Sequence, residues 1–298
     1  MSQGESGASR PNIVGLSYMA FQSSAIDKAM DYYRAVLGYE RQLVVRDPTG
    51  AVVSANIMVS GRQWIELRPE SEPGTDRLIE FGFLVERAED MRLYLAKSGV
   101  KVPAAALPSP LGNLGFSVSD PDGHTVSFTE IRAEGWPAKE AVKGPGPLAL
   151  SDCLMHFGFD VRSLDRAMAF YENTLGFMEM WRGSSNDRTL AWVQLRLPED
   201  KNYIEFMLSD EAPSLEQLGV FNHFGLEVAS MSATMEEASL RLGAKAYPRT
   251  VAYDIGKCRH RLANVYDPDG TRAEFMERRT FDGSVTPSSP LPAPEPRP

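Results

Sequence analysis

The chain has little of what several protein classes require. Two cysteines in 298 residues, Cys153 and Cys258, are too few for a disulfide framework and read as reduced packing residues. No apolar run approaches the ~18 residues needed to cross a bilayer, so no membrane partner is expected. The opening MSQGESGASRP lacks the basic-then-apolar order of a secretory signal, which leaves the cytoplasm as the expected compartment. Basic residues are in deficit: 31 against 40 acidic, a net charge of −9, which argues against nucleic acid as the main partner. Histidine is scarce as well, with four in all, so the position of each carries information. A charged content of 24% fits an ordinary globular protein, and the length suits two modules, each with its own core.

What the sequence does have is repetition. The phrase YDPDGTRAEFME, residues 266 to 277, begins as a turn, with Pro268 fixing φ, Asp267 and Asp269 able to bond nearby backbone, and Gly270 free to take φ > 0. It continues as a strand with Ala273 and Phe275 on one face and Arg272, Glu274 and Met276 on the other. The same phrase stands earlier as SDPDGHTVSFTE, residues 119 to 130, where Ser127 takes the place of Glu274.

In chain order, a tail of residues 1 to 10 is expected to be disordered. A first module, 11 to 132, follows: a strand IVGLSYMAF, a helix AIDKAMDYYRAVLGY ending at Gly38, strands near 39 to 46, 51 to 59 and 62 to 68, then LIEFGFLVE, a helix ending at Gly99 and three further strands. This order is βαβββ, twice. Residues 133 to 150, rich in proline and glycine, read as a linker. A second module, 151 to 279, repeats the pattern, its helix SLDRAMAFYENTLGF stopped by Gly176. Under an offset of 171 − 33 = 138, Ile26, Ala29, Met30, Tyr33, Leu37 and Gly38 fall on Leu164, Ala167, Met168, Tyr171, Leu175 and Gly176, which indicates internal duplication. The proline-rich tail, 280 to 298, is expected to be disordered or extended.

Strand alternation divides the second module's residues between two faces. Met155, Phe157, Phe159 and Val161 make one face of the first strand; His156, Gly158 and Asp160 make the other. Likewise Glu205 opposes Ile204 and Phe206, and His223 and Gly225 oppose Phe224 and Leu226. His156, Glu205, His223 and Glu274 therefore occupy symmetric places on four strands. Two imidazoles and two carboxylates suit a divalent first-row ion such as Fe, Ni, Zn, Mn or Co.

The βαβββ repeats, the helix ending in LGF or LGY, the IEF/IEL strand and the DPDG turn followed four residues later by Glu resemble the vicinal oxygen chelate superfamily. That group includes glyoxalase I, bleomycin resistance proteins and extradiol dioxygenases. The resemblance implies an α+β fold of tandem modules, each made of two βαβββ units forming a cupped mixed sheet with helices on its outer face. It implies His156, Glu205, His223 and Glu274 as metal ligands, an identity set like that of bacterial-type glyoxalase I. The activity implied is a metal-dependent isomerase or lyase acting on a small molecule with adjacent oxygens, with Glu205 or Glu274 as the base. Two alternatives are an Fe(II) extradiol-type ring-cleaving dioxygenase, built on His156, His223 and Glu274, and a non-catalytic small-molecule binder. The extradiol group places a His near Glu205 and a Tyr near Asn264, and this chain has neither. His260, on the strand before, is the candidate acid or base in that case, against a reading as an exposed strand residue.

The first module carries Tyr18, Glu66, Glu80 and Ser127 at the four places, a set unsuited to a transition metal. Neither pairing of half-modules from the two copies gives a complete set. A full set forms if the second module closes its own cup, the expected case, or if two chains pair their second modules, so the protein is expected to be a monomer or homodimer. His124 reads as a solvated turn residue. Tyr203, Met207, Trp192, Arg182 and Arg188 are candidate pocket walls.

Overall fold

The computed structural model describes residues 9–141, 143–243, 247, 249 and 251–298. The expected disordered tail lies outside the described residues up to residue 8. Arg10, which that tail was to include, is instead docked, with Nη1 3.1 Å from Glu199 Oε2.

Two curled, mixed eight-stranded sheets make up the protein. The first holds β1 (Ile13–Ser23), β2 (Gln42–Arg46), β3 (Val52–Met58), β4 (Trp64–Pro69), β5 (Leu78–Val85), β6 (Leu107–Pro108), β7 (Leu114–Ser119) and β8 (Thr125–Glu130), with helices α1 (Ile26–Ala35) and α2 (Ala88–Lys97). A short helix α3 (Trp136–Ala141) lies inside the expected linker. The second sheet holds β9 (Leu154–Asp160), β10 (Met178–Gly183), β11 (Trp192–Arg196), β12 (Tyr203–Met207), β13 (His223–Glu227), β14 (Tyr253–Ile255), β15 (His260–Tyr266) and β16 (Arg272–Thr280), with α4 (Leu164–Met168), α5 (Leu215–Phe221) and α6 (Met231–Gly243). The strand orders are identical: β2-β3-β4-β1-β5-β8-β7-β6 and β10-β11-β12-β9-β13-β16-β15-β14. Each module is complete within itself, so the duplication read from the sequence is a duplication of whole half-barrels.

Why the helices sit where they do follows from their apolar faces. Tyr33 of α1 and Tyr171 after α4 are fully buried in one core that draws on both sheets. Each tyrosine reaches the DPDG turn of the other module: Tyr33 Oη donates to Asp267 (3.3 Å) and Tyr171 Oη to Asp120 (2.9 Å). Between them Phe81 stacks on Phe159 at 4.4 Å between centroids. Gly38 takes φ +80°, and a Cβ there would meet the Leu148 carbonyl at 1.9 Å, so the connecting segment can pass only because the residue is glycine.

Three details depart from the sequence reading. The second-module helix does not run evenly: residues Ala169–Thr174 form a π turn, where Thr174 Oγ1 donates to the Ala169 carbonyl five residues back (3.1 Å). Met155 does not share a face with Phe157. An irregularity where β9 meets β13 sets Leu226 against Leu154 and turns Met155 into the cup beside Tyr203. His124 is not a solvated turn residue: it bonds Asp120 (3.0 Å) and packs its ring 5.3 Å from that of Phe159, across the junction of the modules.

The proline-rich tail is extended and docked. Thr286 Oγ1 donates to the Cys258 carbonyl (2.7 Å) and Trp181 Nε1 to that of Pro287 (3.3 Å), so the tail joins the β15 side of the second sheet to its β10 edge. It then bonds Arg182 O through Ser289 N (2.9 Å) and Leu190 N through Pro292 O (2.8 Å). A proline-rich strap can do this because its carbonyls remain available even where N–H groups are missing.

Candidate metal centre

The four middle strands of the second sheet, β12, β9, β13 and β16, set out the polar face of the cup. In the antiparallel β9–β13 pair, His156 stands opposite Gly225 and Gly158 opposite His223. Each imidazole lies over the other strand's glycine. A Cβ on Gly158 would come within 1.9 Å of the His223 ring, and one on Gly225 within 2.1 Å of the His156 ring. The parallel pairs then bring Glu205 level with Gly158 and Glu274 level with Gly225. All four expected ligands therefore share one face.

They are not equally close. Ligand atoms of His156, His223 and Glu274 all lie within 4.8 Å of one another, and all three residues are buried. His156 Nε2 is 3.0 Å from His223 Nε2 and 3.2 Å from Glu274 Oε2. Glu205 lies outside that cluster, although its Oε2 is 3.8 Å from His223 Nε2, about as near as Glu274 Oε2 at 3.9 Å, and its Oε1 accepts from Gln194 Nε2 at 2.8 Å. His223 Nδ1 lies 2.8 Å from the Phe221 carbonyl at the end of α5. A carbonyl only accepts, so this nitrogen carries the proton and Nε2 is left with its lone pair toward the cup, the orientation a metal-binding imidazole requires. The His156 ring stacks on Tyr203 (4.7 Å, 20°), while its Nδ1, also buried, has no partner among the described residues.

Arg272, at the start of β16, is a buried cation in the same cup, with Nη2 2.7 Å from His223 Nε2. It also lines a cavity of about 320 Å³ with Trp192, Met207 and Phe221. Burial pushes the Glu274 carboxyl up, but Arg272 and the His156 hydrogen bond outweigh it and hold the group at about 2. Burial, reinforced by Glu274, raises Glu205 above the usual carboxylate range against the opposing pull of His156 and Gln194. Burial and then Arg272 keep the His223 imidazole well below its ordinary value, so it is neutral. The site thus offers two imidazoles, that of His223 neutral, and an ionised carboxylate at its heart, donors that fit a divalent ion.

His260 is not brought to this centre. It pairs with Thr280, six residues beyond Glu274 on β16, or roughly 20 Å along the strand, and its Nδ1 is tied to the Glu277 carbonyl at 2.8 Å. Of the expected wall residues, Tyr203 faces the cup, Trp192 and Met207 line the adjoining cavity, Arg182 bonds Glu179, and Arg188 is exposed. Gln194, Arg272 and the glycine pair were not anticipated as site residues.

The equivalent cup of the first module is built differently. Tyr18 stacks on Trp64 (4.8 Å, 11°) as His156 does on Tyr203, and its hydroxyl donates to Glu80 and lies 3.1 Å from Ser127 Oγ. The cation here is a side chain: Arg68 bonds Glu66 through Nε and Glu80 through Nη2, both at 2.7 Å.

Both modules match family profiles described as the Glyoxalase/Bleomycin resistance protein/Dioxygenase superfamily, over residues 15–128 and 155–277. The chain belongs to this superfamily. Among curated superfamily relatives, a lactoylglutathione lyase of Neisseria meningitidis serogroup A is 26% identical over 137 residues, covering 44% of this chain and 95% of the relative. A lactoylglutathione lyase of Haemophilus influenzae is 28% identical over 133 residues, covering 43% and 93%. Among solved structures, the 2,3-dioxygenase LapB from Pseudomonas sp. KL28 has a TM-score of 0.63 at 17% identity, covering 89% of this chain and 93% of that one. A Mn(II)-bound glyoxalase from Novosphingobium aromaticivorans has a TM-score of 0.65 at 18% identity, covering 96% and 89%. At such identities the likeness to these two is one of fold, and it extends over the tandem arrangement of superfamily modules.

Proposed function

We propose that the second module holds a divalent ion through His156, His223 and Glu274, with Glu205 as fourth ligand or base, and that the protein is a glyoxalase I-like isomerase or lyase. Its substrate is a small molecule offering adjacent oxygens. The observation that carries this reading is the convergence of two imidazole Nε2 atoms and a carboxylate in a buried cup, with a second carboxylate just behind them. Fe, Ni, Zn, Mn and Co all suit such donors. When bound, the ion would supply Lewis-acid stabilisation of negative charge developing on substrate oxygens.

Within that reading, the chain's own groups divide the remaining work. Glu205 stands back from the three-residue cluster, braced by Gln194, and takes the proton next to the substrate carbonyl. Arg272 lies between the cup and the adjoining cavity and holds the substrate's oxyanion end. Tyr203 keeps the His156 ring in register by stacking. Proton abstraction is tested with 2-oxoaldehyde–thiol adducts in deuterated water on metal-loaded protein: solvent deuterium should enter the product, and Glu205→Gln should abolish turnover while metal stays bound. Turnover unchanged in Glu205→Gln would refute the assignment.

The two-His-one-carboxylate cluster also favours a second reading, Fe(II) extradiol-type cleavage. Oxygen uptake by anaerobically Fe(II)-loaded protein on adding catechols separates the two. Protein that retains no metal on purification without chelator would point to the superfamily's non-catalytic binders.

A further inference from the structure

We propose that the cup of the first module is a metal-free binding site for a small organic amine, its ammonium head taken by Glu66 and Glu80. The cavity there measures about 440 Å³, within the range of small-molecule sites. Its charged lining residues are Glu66, Glu80 and Arg68, two negative and one positive, so the floor keeps an excess negative charge. Arg68 uses one oxygen of each carboxylate; Oε2 of each accepts no hydrogen bond from the described residues. Both glutamates are nine-tenths buried and line the cavity, where a donor can reach the remaining oxygen of each.

The walls and rim are of the opposite character. Phe116 and Leu111 form part of the wall, and Leu107 and Val53 stand at 66% and 42% exposure with apolar surface turned to water. A polar, net-negative floor under an apolar rim fits a molecule with a cationic head and an apolar body. A metal does not fit, because the Arg68 guanidinium already joins the two carboxylates that would have to ligate it. An anion does not fit either, since it would face the excess carboxylate charge. An ammonium group adds the missing positive charge and gives three N–H donors to the two vacant acceptors.

The test compares probes of like shape on the full chain by calorimetry at neutral pH and low salt: 2-phenylethylamine, 2-phenylethanol and 3-phenylpropionate. The amine should bind saturably and the alcohol and acid at least about tenfold more weakly, as expected for loss of a charge-assisted hydrogen bond. Glu66→Gln should weaken the amine by about the same factor. Arg68→Met, which removes the single positive charge, should tighten it, an outcome that a purely structural role for these residues does not produce. Adding or chelating metal should leave the amine affinity unchanged, which separates this cup from the second. Equal or better binding of the propionate, no binding of any probe, or an affinity indifferent to Glu66→Gln would overturn the proposal.

Discussion

The Nε2 atoms of His156 and His223 face each other across 3.0 Å in the floor of the second cup. His223 has committed its proton to the Phe221 carbonyl, so its Nε2 presents a lone pair. Whichever tautomer His156 adopts, its buried Nδ1 has no partner among the described residues. A metal bound by both Nε2 atoms would join the two lone pairs, of which Arg272, 2.7 Å from His223 Nε2, serves one side alone.

Metal should therefore stabilise the second module. Protein stripped by chelator is expected to melt lower and to regain its Tm on adding Mn(II), Zn(II) or Fe(II), the gain approaching about 2.7 kcal/mol at a hundredfold excess over Kd. His223→Ala should bind no metal and lose the response, as read by elemental analysis alongside thermal melting. Retained stoichiometry in that variant would sink the centre.

Room for the two rings comes from Gly158 and Gly225, and neither position tolerates a methyl group. Gly225→Ala places a Cβ 2.1 Å from the His156 ring, so the imidazole must leave its place or the strands must part. The expected cost is about 1 to 3 kcal/mol of stability and a comparable loss of metal affinity. Gly243→Ala, whose Cβ would meet nothing among the described residues within 4 Å at the end of α6, is the control and should be neutral or mildly stabilising. Metal titration followed by melting distinguishes the two.

This glycine arrangement was written in the sequence as the tripeptide His-Phe-Gly, which occurs at 156–158 and again at 223–225. In an antiparallel pair, a His two residues before a Gly on each strand places each ring over the other strand's glycine. The duplicated βαβββ order and the shared face of the four ligands were legible because they rest on periods of 3.6 and 2. Helix α5, which fixes the His223 tautomer through Phe221, was also signalled, by the capping box of Ser214 and Gln217, but had no place in a strict repeat. Arg272 was harder to read. Strand alternation puts it on the Glu274 face, but an arginine opening a strand ordinarily faces water, so its burial in the cup was not legible. The docked tail was illegible for a related reason, since most of its partners are backbone carbonyls and amides that no side-chain pattern marks.

Asp267 should make stability fall as pH rises. Burial lifts its carboxyl from 3.8 to about 6, the Thr271 and Asp269 backbone N–H groups only partly offsetting this. The folded state thus keeps a proton that the unfolded chain releases near 3.8, so stability declines between about pH 4 and 6 and stays lower above. The displacement corresponds to roughly 3 kcal/mol. Asp267→Asn keeps an oxygen for the two N–H groups now bonded to Oδ1 and offers an amide to Tyr33. It should melt several degrees above the parent at pH 8 and match it near pH 4. A constant difference across that range would remove the titration from the explanation.

Arg297, next to last in the chain, should act through Asp160 on β9. Its Nη2 lies 2.5 Å from Asp160 Oδ1, with only 8% and 10% of the two side chains exposed. Burial pushes the Asp160 carboxyl up, and Arg297 is the main influence opposing it. Arg297→Ala leaves a buried carboxylate without its cation and is expected to cost about 3 kcal/mol. Asp160→Asn in the same chain removes that stranded charge, so the double variant should be more stable than Arg297→Ala alone. If the double variant is the weaker, the strap holds by packing of Leu291 and Ala293 on the core, and the ion pair merely accompanies it. Urea denaturation of the four proteins in the cycle decides between a tail anchored by charge and one anchored by apolar contact.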